Sequence, residues 1–499
     1  MHRTRSSPRK LASILITVGL VASACGTSAT PSPAATSAAT AAPTTAVASA
    51  SPSLVNITPA PIAAGPGPNG GVVVRWFIGL GAGTQPAHLG PEQAWITAYN
   101  KSQKDVYISV EIVDNSLAGS ILKTEIAAGN PPDIIGPVGI EGLNLFRDQL
   151  QDLAPLVAKA NYTQPGVDPK LADFFKIGAG GAQIGLPYAV YPSYLFYNKD
   201  LFDEAKLPYP PTKIGDQYQG KPWDMDALAL LGQKLTVDKN GNDATSASFD
   251  PANIVQWGFD VQYHDNSARA ETAMFGAGSP VADDGKTAQV PDYIANGEKW
   301  FNDGIWKTHF IPNANQVASA LLNGGGEFAS GHLAMDAGHT WFTCCVAPTA
   351  PAKQFKFGFA ALPSYKGVTT APLHVDTFSM LKTTKVPDAA FKALTAMVAS
   401  PELLTIYGAM PADPTKQDAW FKSIDKNFPG ITLDWSIAQE ALKYPDIPNN
   451  QSYVPNYAEA KIAFQAFQNK IRTTSGLDMD KELAALKTTL QGIFDKPAN

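Results

Sequence analysis

The chain has 499 residues, 44% of them hydrophobic and 16% charged, with a formal net charge of −6 at pH 7. This length exceeds what one ordinary hydrophobic core organises, so it predicts a globular protein with two or more lobes. The acidic balance argues against nucleic acid and against a polybasic membrane-binding face. After the N-terminal region, no apolar run approaches the roughly 18 residues needed to cross a bilayer.

The N-terminus predicts an export signal at residues 1–24. A basic start, MHRTRSSPRK, precedes the apolar run LASILITVGLVASA, and Cys25 follows directly. The end of this run resembles the lipobox of bacterial lipoproteins, although Ala22 stands where that motif usually has leucine. In a lipobox the cysteine is diacylated and becomes the new N-terminus. Lipidation of Cys25 is our interpretation, and ordinary cleavage nearby, leaving a free thiol, is the alternative.

Residues 25–69 consist largely of Ala, Thr, Ser, Pro and Gly. Such a composition buries too little apolar surface to offset the entropy of ordering, so it predicts a disordered tether. We therefore expect an extracytoplasmic body anchored to a bacterial cell membrane through its lipidated N-terminus alone.

The next segments predict an α/β lobe. Three predicted strands, Gly70–Leu80, Val106–Asp114 and Asp133–Ile135, alternate with two helices, one beginning at Pro91 and one ending at Gly129. This alternation is typical of a largely parallel sheet. In such sheets, ligands bind beyond the carboxyl ends of the strands.

The segment GLPYAVYPSYLFYNKDLFDEAKLPYPP, starting at Gly185, resembles family 1 extracellular solute-binding proteins of ABC importers, the maltose-binding-protein-like group. AAGNPPDII precedes it, and EFASGHLAMDAGHTW, FKFGFAALP and VPDAAFKALTAMVASPE follow in the family's order. Each motif alone is only weak evidence for the family, but the occurrence of all of them in the family's order, from about Gly71 to Phe494, is strong evidence.

This resemblance implies an α/β, two-lobed fold of the periplasmic-binding-protein type II kind, with a ligand cleft between the lobes and crossover hinge strands. The first crossover would be Ala189–Asn198 and the return Pro372–Lys382. Lobe one would comprise residues 70–190 and 377–415, and lobe two residues 191–376 and 416–499. The C-terminal segments with apolar residues three and four apart are predicted to be amphipathic helices.

Sugar recognition needs flat apolar faces and a few well-placed polar groups. Trp341 occupies the family position at which a tryptophan commonly stacks on sugar, and core packing is the alternative. Tyr191 lies on the first crossover, where relatives place a polar ligand-binding side chain, with Tyr188 nearby.

Further candidates follow other predicted strands. Trp76 and Phe77 end the first strand, where Trp76 could equally belong to the core. Pro137 lies in GPVG, whose small residues indicate either a roomier cleft or close backbone approach to a ligand. Near the C-terminus, Trp435 and Tyr453 lie close to a further stacking position of the family.

Two polar groups complete the candidate site. Tyr263, His264, Asp265 and Asn266 follow a predicted strand of lobe two, although Asp265 or Asn266 could instead cap a helix. His374 and Asp376 stand one residue apart, so on a strand they share a face. They are expected to bind a polar ligand or to form a structural pair at the hinge.

Cys344 and Cys345 are adjacent. Neighbouring Cα atoms are about 3.8 Å apart, below the usual disulfide range of roughly 4.4–6.8 Å, so a bond between them requires a strained ring. We favour this vicinal disulfide as a stiffener of the Trp341 loop, because export usually removes free thiols. Two unpaired thiols are the alternative.

No catalytic or metal-binding motif is evident, and no cofactor is expected. The resulting hypothesis is a monomeric substrate-binding lipoprotein that delivers a mono- or oligosaccharide to the transmembrane permease subunits of an ABC importer. A non-sugar solute such as an organic anion or polyamine is the nearer alternative. A secreted carbohydrate-active enzyme is the more distant one, and a carboxylate pair in the cleft would favour it.

Overall fold

The structure is a computed structural model that describes residues 65–176, 181–262, 273–322, 327–344, 346 and 355–497. Its central feature is one mixed sheet, in which the strands follow the order β2 (Val106–Ile112), β1 (Val72–Ile78), β3 (Ile134–Val138), β14 (Leu373–Met380), β4 (Leu186–Asn198), β10 (Met335–His339) and β9 (Asp260–Val261), with β11 (Phe357–Ala360) also paired to β4. The two parts of the molecule built on either end of this sheet are called the first lobe (β1 to β3) and the second lobe (β9 to β11).

The first lobe begins with alternating strands and helices. Its elements are β1 (Val72–Ile78), α1 (Pro86–Ser102), β2 (Val106–Ile112), α2 (Asn115–Ala127), β3 (Ile134–Val138), α3 (Ile140–Asn144) and α4 (Ala154–Ala160). Strand β1 pairs in parallel with both β2 and β3. The predicted α/β class is confirmed, and the three strands of this lobe are parallel within the mixed sheet.

Two boundaries differ from the sequence prediction. Helix α1 begins at Pro86 and contains Pro91, which was expected to start it. Pro86 fits the first helical turn because its missing N–H would have no partner there, whereas Pro91 removes one later hydrogen bond that the helix tolerates. Strand β3 also extends through Pro137, so this residue lies inside the strand and not after it.

Two long strands connect the lobes. The first part of β4 (Leu186–Asn198) pairs antiparallel with β14 (Leu373–Met380), and its last part pairs with β10 and β11. Strand β14 continues along β3 of the first lobe. The predicted crossover strands are therefore present.

The second lobe surrounds its strands with helices and short hairpins. Its elements are α5 (Lys199–Ala205), β5 (Gln217–Tyr218), β6 (Lys221–Pro222), α6 (Met225–Leu235), β7 (Val237–Asp238), β8 (Ile254–Gln256), β9 (Asp260–Val261), α7 (Asp292–Trp306), α8 (Ala314–Val317), β10 (Met335–His339), β11 (Phe357–Ala360), β12 (Ser364–Tyr365) and β13 (Val368–Thr369).

After β14 the chain is helical. The helices are α9 (Pro387–Ala399), α10 (Pro401–Ile406), α11 (Gln417–Ile424), α12 (Ser436–Ala441), α13 (Tyr457–Thr473) and α14 (Met479–Phe494). The last two bury the apolar stripes seen in the sequence, for example Phe464, Phe467 and Ile471 on α13. Along the described ranges, no helix has both the length and the apolar character that crossing a membrane requires.

Candidate functional site

A cavity of about 1080 Å³ lies where the crossover strands meet the two lobes. Its walls come from the ends of β1 and β3, the start of α2, the turn after β10, and the end of α10. Described residues that line it include Gln85, His88, Asn115, Ser116, Gly139, Glu141, Tyr191, Trp341, Thr343, His374, Asp376, Thr405 and Tyr407.

Trp341 lies in a short 3₁₀ helix, Thr340–Cys344, directly after β10. The Thr340 hydroxyl anchors this turn by donating to the Pro192 carbonyl at 2.9 Å. The indole stacks in parallel on His339 at a centroid distance of 4.2 Å, and its edges meet Tyr191 and His374, each at 5.0 Å. The ring is therefore held in one orientation against the cavity.

Tyr191, His374 and Asp376 form a polar group on the crossover strands. The Tyr191 hydroxyl donates to Asp376 Oδ2 at 3.2 Å, and His374 Nε2 lies 3.3 Å from Asp376 Oδ1. Burial, and then the Asp376 charge, raise the pKa of Tyr191 well above its usual value, so the phenol stays a neutral donor. His374 and Asp376 share a face of β14, as their spacing predicts, and both line the cavity.

Gly139 permits the His374 side chain to occupy this position. A Cβ atom at residue 139 would collide with the His374 imidazole and approach Asp376 Oδ1 to 3.2 Å. The small residues of GPVG were expected to give either a roomier cleft or close backbone approach to a ligand. At Gly139 the group that approaches the backbone closely is a side chain of the protein itself.

The start of α2 contributes a wall that sequence reasoning did not single out. Asp114 caps the helix by accepting from the Ser116 amide at 2.9 Å, and Asn115 Nδ2 donates to the Gly79 carbonyl at 2.7 Å. These bonds fix Asn115 and Ser116 where the backbone leaves β2. The sequence does contain a signal that could have indicated this wall. Asp114, an acidic N-cap residue, is followed by Asn115 and Ser116 at the end of a predicted strand.

A second unpredicted wall combines α1 with the end of α10. His88 of α1 and Tyr407, which follows α10, line the cavity with ring centroids 5.8 Å apart. Glu92, one turn after His88, is fully buried behind them. Burial raises the pKa of Glu92 to about 7 and lowers the pKa of His88. No sequence signal marked this wall, because it depends on α1 starting before Pro91.

The described lining carries acidic but no Lys or Arg side chains. Glu141 and Asp376 are its carboxylates. Glu141 forms an ion pair with Lys461 of α13 beside the cavity. Asp376 is held by Tyr191.

Four predicted residues of the first lobe and the crossover lie in the core and not on the cavity. Trp76 is fully buried, packs on Phe378, and donates from Nε1 to the Gly136 carbonyl at 2.7 Å. Phe77 and Pro137 are buried in β1 and β3. Tyr188 is buried against Phe378 at 4.9 Å. Consecutive side chains of a strand point to opposite faces. Because these strands are buried on both faces, all of these side chains are hidden from the cavity.

The two C-terminal candidates also lie away from the cavity. Trp435 is buried, stacks on Phe421 at 4.9 Å and donates from Nε1 to Asp425 Oδ1 at 2.8 Å. Tyr453 is half-buried, with a φ of 68°, and its carbonyl accepts from Arg147 Nη1 at 2.9 Å.

Several predictions fall on residues outside the described ranges. These are Tyr263, His264, Asp265, Asn266, the lipidation site Cys25, and Cys345 of the proposed vicinal disulfide. Cys344 is described only as the end of the 3₁₀ helix. Within the ranges the structure covers, no group of three His, Cys, Asp or Glu side chains is arranged to hold a metal ion.

Comparison with known proteins places this fold among binding proteins. Residues 82–402 match the family model described as bacterial extracellular solute-binding protein. No curated protein matches significantly.

Several solved structures share the fold at low identity. UspC of M. tuberculosis has 20% identity and a TM-score of 0.62, covering 85% of this chain and 100% of that one. The cyclic alpha-maltosyl-1,6-maltose binding protein of Arthrobacter globiformis has 18% identity, a TM-score of 0.62 and coverages of 85% and 99%. The sugar-binding protein MalE of Xanthomonas citri has 16% identity, a TM-score of 0.62 and coverages of 85% and 97%.

Proposed function

The chain belongs to the bacterial extracellular solute-binding protein family, and on this premise we propose that it captures a mono- or oligosaccharide between its lobes. The captured sugar is then delivered to the transmembrane permease subunits of an ABC importer. The protein acts by binding and release and leaves the sugar chemically unchanged.

The observation that carries this proposal is the pairing of Trp341 with the polar group Tyr191, His374 and Asp376 in one cavity. An aromatic face suits the C–H surface of a pyranose, and the polar side chains suit its hydroxyl groups. Proteins with the same fold include one named for binding cyclic alpha-maltosyl-1,6-maltose and one described as sugar-binding. The absence of Lys and Arg from the described lining disfavours an organic anion.

Ligand capture would work through the crossover strands. Strand β4 pairs with β10 and β11 of the second lobe, β14 pairs with β3 of the first lobe, and the two strands pair with each other. Bending at these strands would therefore change the lobe-to-lobe angle while each lobe keeps its core. A ligand that contacts both lobes only in the closed form favours that form. The closed form is the one presented to the permease.

The experiment is a thermal-shift screen of the mature body, residues 26–499, against neutral mono- and oligosaccharides, with chromatography of the sugar after incubation. We expect at least one sugar to raise Tm by several degrees, as mass action requires for a ligand of the folded state, and to be recovered intact. Stabilisation only by charged non-sugars would overturn the proposal. Conversion of the sugar would instead support an enzyme.

A further inference from the structure

Two segments that are far apart in the chain touch each other beside the cavity. We call them the α3 segment, residues 140–147, and the α13 segment, residues 449–461. Leu145 of the α3 segment packs against two apolar clusters, one on either side of it. The polar contacts are Asn144 Nδ2 to the Gln451 carbonyl at 2.7 Å, Arg147 Nη1 to the Tyr453 carbonyl at 2.9 Å, and the ion pair of Glu141 with Lys461.

The α3 segment belongs to the first lobe. Helix α3 directly follows β3 and packs on β3 and β14. Leu143 and Phe146 are buried in the same apolar cluster as Phe77 of β1 and Ile135 of β3. Movement of the first lobe therefore carries this segment with it.

The α13 segment belongs to the second lobe. Helix α13 packs on α7 and α8, and its Phe464 is buried in the same apolar cluster as Phe259, beside β9, and Met335 of β10. The stretch before the helix is held there as well, because Ser279 Oγ donates to the Ser452 carbonyl at 2.5 Å. The contacts between the two segments therefore join the lobes directly, in addition to the crossover strands.

These contacts lie on the cavity side of the crossover strands. Glu141 and Leu145 line the large cavity, and Asn144 and Arg147 line a smaller cavity of about 290 Å³ between the same two segments. Separation of the lobes around the large cavity would pull the segments apart and break the contacts. Because water satisfies the separated polar groups, each contact favours the closed form only modestly.

We propose that the α3 and α13 segments form a brace that favours the closed arrangement of the lobes and thereby raises sugar affinity from outside the cavity. The inference deepens the proposed function, on which it rests, by naming residues that set the affinity of the same cavity. Asn144, Arg147 and Lys461 are not among the described residues of the cavity lining, so they are positioning residues that act through the lobe angle. A ligand that binds only the closed form binds more tightly when that form is more populated.

The test combines small-angle X-ray scattering without sugar and titration calorimetry with glucose, maltose, maltotriose and cellobiose. The brace variants are Asn144→Ala, Lys461→Met and the double variant. Each single variant has a matched control whose contact stays within one lobe. Asn100→Ala removes a buried asparagine that donates to the Ile108 carbonyl, and Lys470→Met removes an ion pair between α13 and α14. Melting curves verify that every variant is folded.

Without sugar, the brace variants should have a larger radius of gyration than the wild type and the controls. The Kd of the sugar that binds the wild type most tightly should rise about threefold in each single variant and about tenfold in the double variant. At saturation with that sugar, the radius should match the wild type, because the ligand restores the closed form. The controls should lower Tm while Kd stays within about twofold.

The brace and the sugar function fail in different ways. If a sugar binds, brace variants that equal their controls in both measurements would overturn the brace, as would a change in only one measurement. A smaller radius with tighter binding would also overturn it, because the contacts would then hold the lobes apart. If the wild type binds none of the four sugars, the sugar function is contradicted, and the radius without sugar alone decides whether the brace exists.

Discussion

Trp341 is the residue on which the binding proposal depends most. Its indole is fixed by His339, Tyr191 and His374, and its main-chain turn is tied to β4 through Thr340. A ring held this firmly loses little entropy when a ligand stacks on it. The family resemblance identified this residue from sequence, but its stacking on His339 depends on how the turn folds back.

Trp341→Ala should weaken sugar binding about tenfold to a hundredfold, because it removes a stacking face and apolar contact area. Titration calorimetry with the sugar found by thermal shift measures this loss. Trp435→Phe is the matched control, since that tryptophan packs in the core and does not line the cavity. The control should lower Tm with little change in Kd, and a larger loss of affinity in the control than in Trp341→Ala would contradict this role.

A second prediction at the scale of single residues concerns the pH dependence of stability that Glu92 causes. Its pKa rises from 4.5 to about 7 on folding, so the unfolded chain ionises first as pH increases. The unliganded wild type should therefore lose stability between pH 4.5 and pH 7, by roughly 3 kcal/mol at most, relative to Glu92→Gln. Urea unfolding of both proteins at pH 5 and pH 8 measures the difference. An equal difference at both pH values would show that Glu92 does not titrate in this range.

At the scale of elements, the approach of β14 to the end of β3 shapes the cavity floor. Gly139, just after β3, leaves the space that His374 of β14 fills. The sequence indicated that His374 and Asp376 share a strand face, because strand periodicity is local. It could not indicate that Gly139 lies opposite them, because that pairing joins residues far apart in the chain.

Gly139→Ala should displace the His374 imidazole, costing roughly 1–3 kcal/mol of stability and weakening ligand binding. Gly119→Ala is the matched control: Gly119 also lines the cavity, but it lies in α2 with open space beside it. The control should raise stability by about 0.5–1 kcal/mol, as expected for alanine in a helix. Equal effects of the two substitutions in urea unfolding and calorimetry would refute the role of Gly139.

Helix α1 shows why the rest of the site was not predictable. Proline is common at the first helical position, so the sequence predicted a helix that begins at Pro91. The extra turn from Pro86 places His88 and Glu92 on one face, beside Tyr407. This wall results from packing of α1 against the end of α10, which local sequence patterns do not encode.

At the scale of the whole molecule, ordered motifs predicted the two-lobed fold better than any single motif did. The long strand β4 was recognisable because its aromatic run precedes a capped helix, α5. The sequence did not indicate which aromatic residues reach the cavity, because the core and the cleft both bury aromatic surface. Trp76 and Trp435, for example, were site candidates but lie in the core.

The proposed membrane anchor also concerns the whole chain. If Cys25 is diacylated, Cys25→Ser should abolish labelling by a radioactive fatty acid and release the protein from the membrane fraction, because the lipid is the proposed attachment. Sugar affinity of the released protein should match that of the wild type. Continued membrane association of the unlabelled variant would contradict the anchor.

The central claim is that a sugar binds between the lobes against Trp341. A crystal structure with the stabilising sugar bound tests this most directly. We predict a pyranose ring stacked on Trp341, with hydroxyl groups hydrogen-bonded to His374 or Asp376 and contacts from both lobes. A sugar bound elsewhere, for example in the surface groove between Phe275 and Tyr365, or contacts from one lobe alone, would contradict it.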